Sequence, residues 1–159
     1  MKQLLIQNKK NNQVWNSGCA SFLVGHKIGS YPLSVAVKCR IGSLEGAEDY
    51  ALLDTGASWS VIGGDIAAII EEEIGEPIQS FPISTRLGKI SDSLHRIDIS
   101  LLAEQNSGHD LTVDSTVFVS QEWDGPIVLG YNGFLERIRF ALDSGIFPGE
   151  ELFYFGKSG

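Results

Sequence analysis

The segment Ala51–Ser58, which has the sequence Ala-Leu-Leu-Asp-Thr-Gly-Ala-Ser, constrains this 159-residue chain more than any other feature. Its three apolar residues predict a strand, and the Thr-Gly pair predicts a tight turn directly after that strand. Asp54 therefore lies at the junction, where a rigid backbone can hold a carboxylate within reach of water. Such a carboxylate suits general acid–base chemistry. The alternative is an aspartate that only hydrogen-bonds the backbone amides of its own turn.

Apolar and polar residues alternate with a period of two through residues 33–41 and again through 97–101, which predicts half-buried strands. Two short helices are expected, one over 66–74 with Asp65 as its N-cap and one over 132–138. Further strands are expected within 1–30 and at 50–53, 111–119, 127–129, 140–143 and 152–156, the last as a sheet edge or a dimer strand. This pattern predicts a mostly β, closed barrel.

Residues 78–103 predict a long hairpin that leads out and returns. The outward arm is expected over 78–87 and the returning arm over 94–103, where the alternation is clearest. Between them, polar residues at 88–93 predict the tip of the hairpin.

The composition excludes several classes of function. With 12 basic and 20 acidic residues, the net charge is −8, so the chain is poorly suited to neutralising phosphates and no nucleic-acid partner is expected. No segment approaches the ~20 apolar residues of a membrane span, and the N-terminal apolar run is too short for a secretory signal. We therefore expect a cytoplasmic protein without a membrane partner, folded as one domain over residues 1–159.

The two cysteines, Cys19 and Cys39, are too few for a disulfide framework, so both are expected to be reduced and structural. The histidine nearest to them, His26, lacks the spacing to a second cysteine pair that a zinc site needs. The sequence therefore predicts neither a metal site nor a cofactor.

With these motifs in place, the chain resembles the retropepsin-like aspartic proteases, including their small bacterial relatives. The resemblance rests on ALLDTGASWSVI at 51–62, on the hairpin at 78–103, and on IVLGYNGFLERIRFALD at 127–143. It covers residues 33–156 and leaves residues 1–30 as an N-terminal extension. In that family the Asp-Thr-Gly loop is crossed by a strand that ends in two apolar residues and a glycine, which Leu129 and Gly130 match.

The resemblance implies a retropepsin-like barrel with a flap, and it assigns a role to each residue of the loop. Asp54 is the implied catalytic residue. Thr55 would hydrogen-bond across two loops, and Gly56 would let the substrate backbone approach closely. Ala57 and Ser58 would complete the support of the loop.

The same resemblance assigns the hairpin tip to a flap that closes over a polypeptide substrate and excludes water. The flap and substrate-binding residues it implies are Leu87, Gly88, Lys89 and Ile90.

The family's chemistry needs two carboxylates, which share one proton and activate a water molecule that attacks the peptide bond. Asp143-Ser144-Gly145 is a second candidate within the chain, but it follows the glycine element and leaves only a short segment behind it. We therefore interpret it as a strand end and turn, and we expect a homodimer in which each subunit contributes Asp54. The alternative is a retropepsin-like module that binds peptides or assembles without turnover.

Three departures from the family pattern are visible. Ser58 and Tyr131 stand where retroviral members usually carry an acidic residue and an arginine that pair. The hairpin tip has only Gly88 where retroviral flaps are glycine-rich. Residues 1–30 have no identified retroviral counterpart. Dimer strength, substrate grip and flap closure are therefore the properties in which we expect this chain to differ from retroviral members.

Overall fold

The computed structural model describes residues 14–25, 34–43, 45–85 and 88–157. Its one α-helix in these ranges is α1 (Gly64–Ile69), and short 3-10 helices lie at Glu45–Ala47 and Leu135–Arg137. The strands are Gly18–Ser21 (β1), Leu23–Val24 (β2), Val35–Ile41 (β3), Glu48–Leu53 (β4), Ser60–Gly63 (β5), Gln79–Thr85 (β6), Gly88–Leu101 (β7), Leu111–Ser120 (β8), Ile127–Leu129 (β9), Ile138–Asp143 (β10) and Leu152–Lys157 (β11).

A closed barrel forms the body of the structure. The large sheet has the order β2-β3-β4-β9-β5-β8-β7-β6, and an additional pairing of β3 with β7 closes a ring of six strands. The long strand β7 makes this closure possible, because it pairs with β6, β8 and β3 along its length. This confirms the mostly β, closed barrel that the strand pattern predicts.

The alternation in β3 explains how the barrel is filled. Val37, Cys39 and Ile41 are buried in the core, whereas Lys38 and Arg40 lie on the outer face, where both approach Glu48 of β4. Because side chains of a strand alternate between its two faces, this one strand supplies both core packing and a polar surface.

A second sheet, β1-β11-β10, packs beside the barrel. Its middle strand carries Phe153, Tyr154 and Phe155, all three buried, with β1 and β10 of the same chain on either side. The expectation of a sheet edge or dimer strand at 152–156 is therefore wrong. The N-terminal segment explains the difference, since β1 covers the edge that β11 would otherwise expose.

Both helix predictions need correction. The helix α1 ends at Ile69 instead of continuing to Ile74, and Gly63 is its N-cap, with no capping side chain, so Asp65 lies in the first turn. The residues that follow form turns, in which the N–H groups of Glu73 and Ile74 both donate to Ile70 O, at 2.9 and 3.0 Å. The backbone N–H of Ser43 donates to the carboxylate of Glu73 at 2.8 Å, which ties the following segment to the neighbouring turn.

The predicted helix at 132–138 is reduced to the 3-10 helix Leu135–Arg137. Gly133 adopts φ +76°, in the left-handed region, so a regular right-handed helix cannot pass through it. The N–H of Leu135 instead donates to Gly130 O at 3.1 Å, which closes a tight loop directly after β9.

The long hairpin is present as β6 and β7, but its turn differs from the prediction. Thr85 pairs with Gly88, so residues 88–93 continue as a strand instead of forming the tip. Residues 86–87, which join the two strands, lie outside the described residues. Ser93 pairs with Val119 near the end of β8, so β8 accompanies only the later part of β7.

Cys19 and Cys39 are buried free thiols, as the sequence predicts. In the described ranges no helix is long and apolar enough to cross a membrane, and no group of three or more His, Cys, Asp or Glu residues is arranged to hold a metal ion.

Candidate active site

Asp54 begins a tight turn directly after β4. Its side-chain Oδ1 accepts the N–H of Gly56 at 2.9 Å, and its backbone carbonyl accepts the N–H of Ala57 at 3.2 Å. These bonds fix the carboxylate relative to its own backbone, while Asp54, Thr55 and Gly56 remain exposed. The turn therefore presents a carboxylate with a defined direction at the surface of the chain.

Strand β9 holds this turn from beneath. It runs parallel to β4, with Leu53 opposite Leu129, and antiparallel to β5, with Val61 opposite Val128. The strand that enters the turn and the strand that leaves it thus flank β9 on opposite sides. The N–H of Asp54 donates to Leu129 O at 3.0 Å, so the crossing reaches the candidate catalytic residue itself.

The chain after β9 continues along the second half of the loop. Tyr131 N–H donates to Ala57 O and Asn132 N–H donates to Ser58 O, both at 2.9 Å. Gly130 is required at the crossing, because a Cβ there would lie 2.3 Å from the carbonyl carbon of Trp59. The structure thus brings Leu129 and Gly130 together with the Asp54–Ser58 loop. The family resemblance predicts this crossing.

A buried serine that sequence reasoning did not assign completes the crossing. The hydroxyl of Ser60 accepts the N–H of Gly130 at 2.9 Å, and the side chain is fully buried. The sequence pattern assigns Ser60 no role. Its position in strand β5, on the same face as the core residue Ile62, is the one signal that it points inward.

An apolar cluster packs against the second half of the loop. Ala57 and Trp59 are partly buried against a group of core side chains, which are Val61, Leu94, Phe118, Trp123 and Val128. The indole N–H of Trp123 donates to Pro126 O at 2.8 Å, so this large ring is both packed and hydrogen-bonded. The cluster makes the base of the turn rigid.

The two positions that depart from the family pattern lie beside this loop. Ser58 and Tyr131 are exposed, with Tyr131 52% accessible, and their backbones take part in the loop-to-loop hydrogen bonds. Neither side chain is charged, so the loop is connected here by main-chain bonds and not by an ion pair.

The residues predicted for the flap lie in the β6–β7 hairpin and not in the loop around Asp54. Gly88, Lys89 and Ile90 open strand β7, paired with the last residues of β6, and Leu87 lies outside the described residues. Before Ser93, β7 pairs with β6 alone, so this part of the hairpin is two-stranded.

Asp143 occupies a different environment from Asp54. Its Oδ1 accepts the N–H of Gly145 at 2.9 Å, which gives a turn much like the one at Asp54. It ends β10 in the three-stranded sheet, opposite Leu152 of β11, and is part of a hairpin connection. This geometry agrees with a strand end followed by a turn.

Neither protein-family models nor curated proteins give a match to this chain. Among solved structures, a retropepsin-like aspartic protease from Rickettsia conorii is similar at 13% identity, with a TM-score of 0.51 and coverage of 87% of this chain and 90% of that one. The EIAV protease complexed with the inhibitor HBY-793 matches at 18% identity and a TM-score of 0.45, covering 67% and 88%. The simian foamy virus (mac) protease matches at 22% and 0.38, covering 62% and 89%.

The similarity to the Rickettsia conorii structure shows that the fold is retropepsin-like, as the sequence resemblance implies. At this level of identity the comparison establishes the fold alone.

Proposed function

We propose that the protein is an aspartic endopeptidase in which Asp54 is the catalytic residue and a homodimer supplies the second carboxylate. The observation that supports this proposal most is the exposed Asp54 carboxylate on a turn whose backbone is held by Leu129 and by residues 131–132. A reacting carboxylate has to be both accessible and fixed in direction, and this loop meets both requirements.

The reaction follows from placing two such loops at a twofold axis. Two carboxylates at such a short distance from each other cannot both ionise easily, so they share one proton over a wide pH range. The ionised oxygen takes a proton from a bound water molecule, and the protonated oxygen hydrogen-bonds the scissile carbonyl of the polypeptide substrate. The apparent pKa values would belong to the pair and not to one Asp54.

Other parts of the chain have supporting roles in this proposal. Thr55 would link the two loops across the axis, and Gly56 would leave room for the substrate backbone. The hairpin end that contains Leu87, Gly88, Lys89 and Ile90 would cover the bound peptide. Residues 1–159 would form one domain, in which residues 33–156 are the retropepsin-like core.

The test is a peptide-library digest by the purified full chain, followed by mass spectrometry from acidic to neutral pH. We expect Asp54→Asn to lower the cleavage rate by at least about a hundredfold, because it removes the group that accepts the proton. The matched control is Asp143→Asn, which makes the same chemical change in a similar turn and should leave the rate unchanged.

If wild type and Asp54→Asn give the same cleavage profile, the proposal is wrong. Peptide binding without cleavage by both proteins would then favour a module that binds peptides without turnover. Equal loss in both variants would show that neither aspartate is specific to the reaction.

A mixing experiment tests the contribution of the second subunit. Wild type and Asp54→Asn are unfolded together in equal amounts and refolded, so that random pairing gives about half of the wild-type subunits an inactive partner. Activity per wild-type subunit should then fall by about half. If it stays unchanged, one subunit is sufficient and the shared dyad is excluded.

A further inference from the structure

One peptide group of the chain is hydrogen-bonded at both of its ends. The carbonyl of Leu129 accepts the N–H of Asp54 at 3.0 Å, and the N–H of Gly130, on the other side of the same peptide bond, donates to the hydroxyl of Ser60 at 2.9 Å. Because a peptide group is planar and rigid, its two ends cannot turn independently. The orientation that Ser60 gives to one end therefore sets the direction of the acceptor that holds Asp54.

No backbone pairing replaces the bond to Ser60 at this position. Strand β5 pairs with β9 through Val61 and Val128, and β9 ends at Leu129, so Gly130 lies past the last strand residue. Gly130 is buried, and a buried N–H without a partner is unfavourable. The Ser60 hydroxyl thus takes the place of a backbone acceptor where the chain leaves the sheet.

The packing at Gly130 makes the arrangement sensitive to small movements. A Cβ on Gly130 would lie 2.3 Å from the carbonyl carbon of Trp59 and 2.7 Å from the N of Ser60. The peptide group therefore lies directly against the backbone that carries Ser60. Any rotation of the peptide group shifts Leu129 O and, through it, the backbone of Asp54.

We propose that Ser60 is a positioning residue for the reaction, whose hydroxyl orients the Leu129–Gly130 peptide group and through it the Asp54 carboxylate. This inference rests on the proposed function, in which two Asp54 side chains act as a pair. A shift of about 1 Å in a reacting group can lower a rate by up to about a hundredfold. A more distant pair also interacts less strongly, so its two apparent pKa values move towards each other.

The experiment compares Ser60→Ala, Ser60→Cys and Ser60→Thr in the full chain. Ser60→Cys keeps nearly the same volume but replaces the hydroxyl by a weak acceptor, and Ser60→Thr keeps the hydroxyl. The matched control is Ser115→Ala, because Ser115 is also fully buried and its hydroxyl donates to Val113 O, within its own strand, at 2.8 Å.

We expect Ser60→Ala and Ser60→Cys to lower kcat between about tenfold and a hundredfold, with KM nearly unchanged. The pH range of full activity should narrow in both, because the two apparent pKa values of the pair approach each other. Ser60→Thr should restore kcat and the pH range. Hydrogen exchange at the amides of Asp54 and Gly130 should be faster in Ser60→Cys than in Ser115→Ala.

The inference is overturned if Ser60→Cys matches Ser115→Ala in kcat, pH profile and amide exchange, or if only KM changes. If Ser60→Thr does not fold, the comparison of Ser60→Cys with Ser115→Ala decides the matter alone. Failure of the proposed function is recognised separately, as peptide cleavage by wild type that does not depend on Asp54. Amide exchange at Asp54 still tests the link from Ser60 in that case, because it requires no activity.

Discussion

Two turns of this protein have nearly the same local sequence, Asp54-Thr55-Gly56 and Asp143-Ser144-Gly145. Each follows the last residues of a strand, and in each the glycine N–H donates to the aspartate Oδ1 at 2.9 Å. One difference is local, since Gly145 adopts φ +68° and Gly56 does not adopt a left-handed conformation. The larger difference is in what surrounds the two turns.

The turn at Asp54 is held by segments far away in the sequence, through Leu129 and residues 131–132. The connection after Asp143 is held by its own residues, with the carboxylate of Glu150 accepting the N–H groups of Ile146 and Phe147 at 3.1 Å. An Asp-X-Gly turn by itself therefore supplies only a local hydrogen bond. A candidate catalytic site requires the crossing strand that fixes the turn within the barrel.

The largest expected difference between the two regions is in packing. Leu129→Ala should lower the free energy of unfolding by about 2–5 kcal/mol, because Leu129 is fully buried in the core. Leu142→Ala, next to the other turn, should change it by about 0.5 kcal/mol or less, because that side chain is 43% exposed. Urea unfolding measures both values. Equal losses would mean that the two turns are supported alike.

The second prediction concerns the close approach at Gly130. Gly130→Ala should lower the free energy of unfolding by about 3 kcal/mol, because the new Cβ would meet backbone atoms that cannot move aside easily. Gly46→Ala is the control, since a Cβ there has no neighbour within 4 Å, and it should be close to neutral. Urea unfolding of both variants is the measurement. A neutral Gly130→Ala would contradict the tight crossing.

Local periodicity was sufficient to predict most of the fold. The alternation around Cys39 and Ile99 fixes which face of each strand is buried, and a closed barrel satisfies all of these faces together. Helix boundaries were predicted less well: the segment after α1 forms turns that Glu73 bonds to Ser43, and the left-handed Gly133 shortens the second helical segment. Such tertiary and conformational effects leave little trace in the hydrophobic pattern.

The sequence indicated the parts of the candidate site that form motifs and missed the part that depends on a long-range contact. Asp54 and Gly130 were recognisable because each lies in a characteristic local pattern. Ser60 was not, because its importance depends on a hydrogen bond to a residue 70 positions away. The strand around Phe155 was predicted, but its place in the middle of a sheet was missed, since nothing local shows that β1 pairs beside it.

The two free thiols, one in the barrel and one in the second sheet, make stability depend on pH to different extents. Burial, with a smaller effect of Asp49, raises the pKa of Cys39 in the barrel from 9.0 to about 12. Burial also raises the pKa of Cys19 in the second sheet, while a hydrogen bond with Ser107 opposes the shift. Between pH 9 and 12 the unfolded chain therefore releases a proton that folded Cys39 keeps. The contribution of Cys39 to the free energy of unfolding is fully present below this range and is lost as the pH rises through it.

We expect this loss to approach about 1 kcal/mol per pH unit above pH 9. Urea unfolding at a series of alkaline pH values measures the slope, which should become flatter in Cys39→Ala than in Cys19→Ala. Comparing slopes avoids the constant cost of the cavity that each substitution leaves. An equally steep slope in Cys39→Ala would show that other groups cause the alkaline loss.

The smallest expected effect concerns the aspartates as parts of their turns. Asp54→Ala and Asp143→Ala each remove one exposed hydrogen bond, so each should lower the free energy of unfolding by about 0.5–1 kcal/mol. Asn at either position keeps the acceptor oxygen and should recover most of that loss. Urea unfolding of the four variants, beside their cleavage rates, separates structure from chemistry. Similar stability with cleavage lost only at position 54 would locate the function in the crossing that holds Asp54, whereas a much larger stability loss for Asp54→Ala would make that aspartate a structural residue.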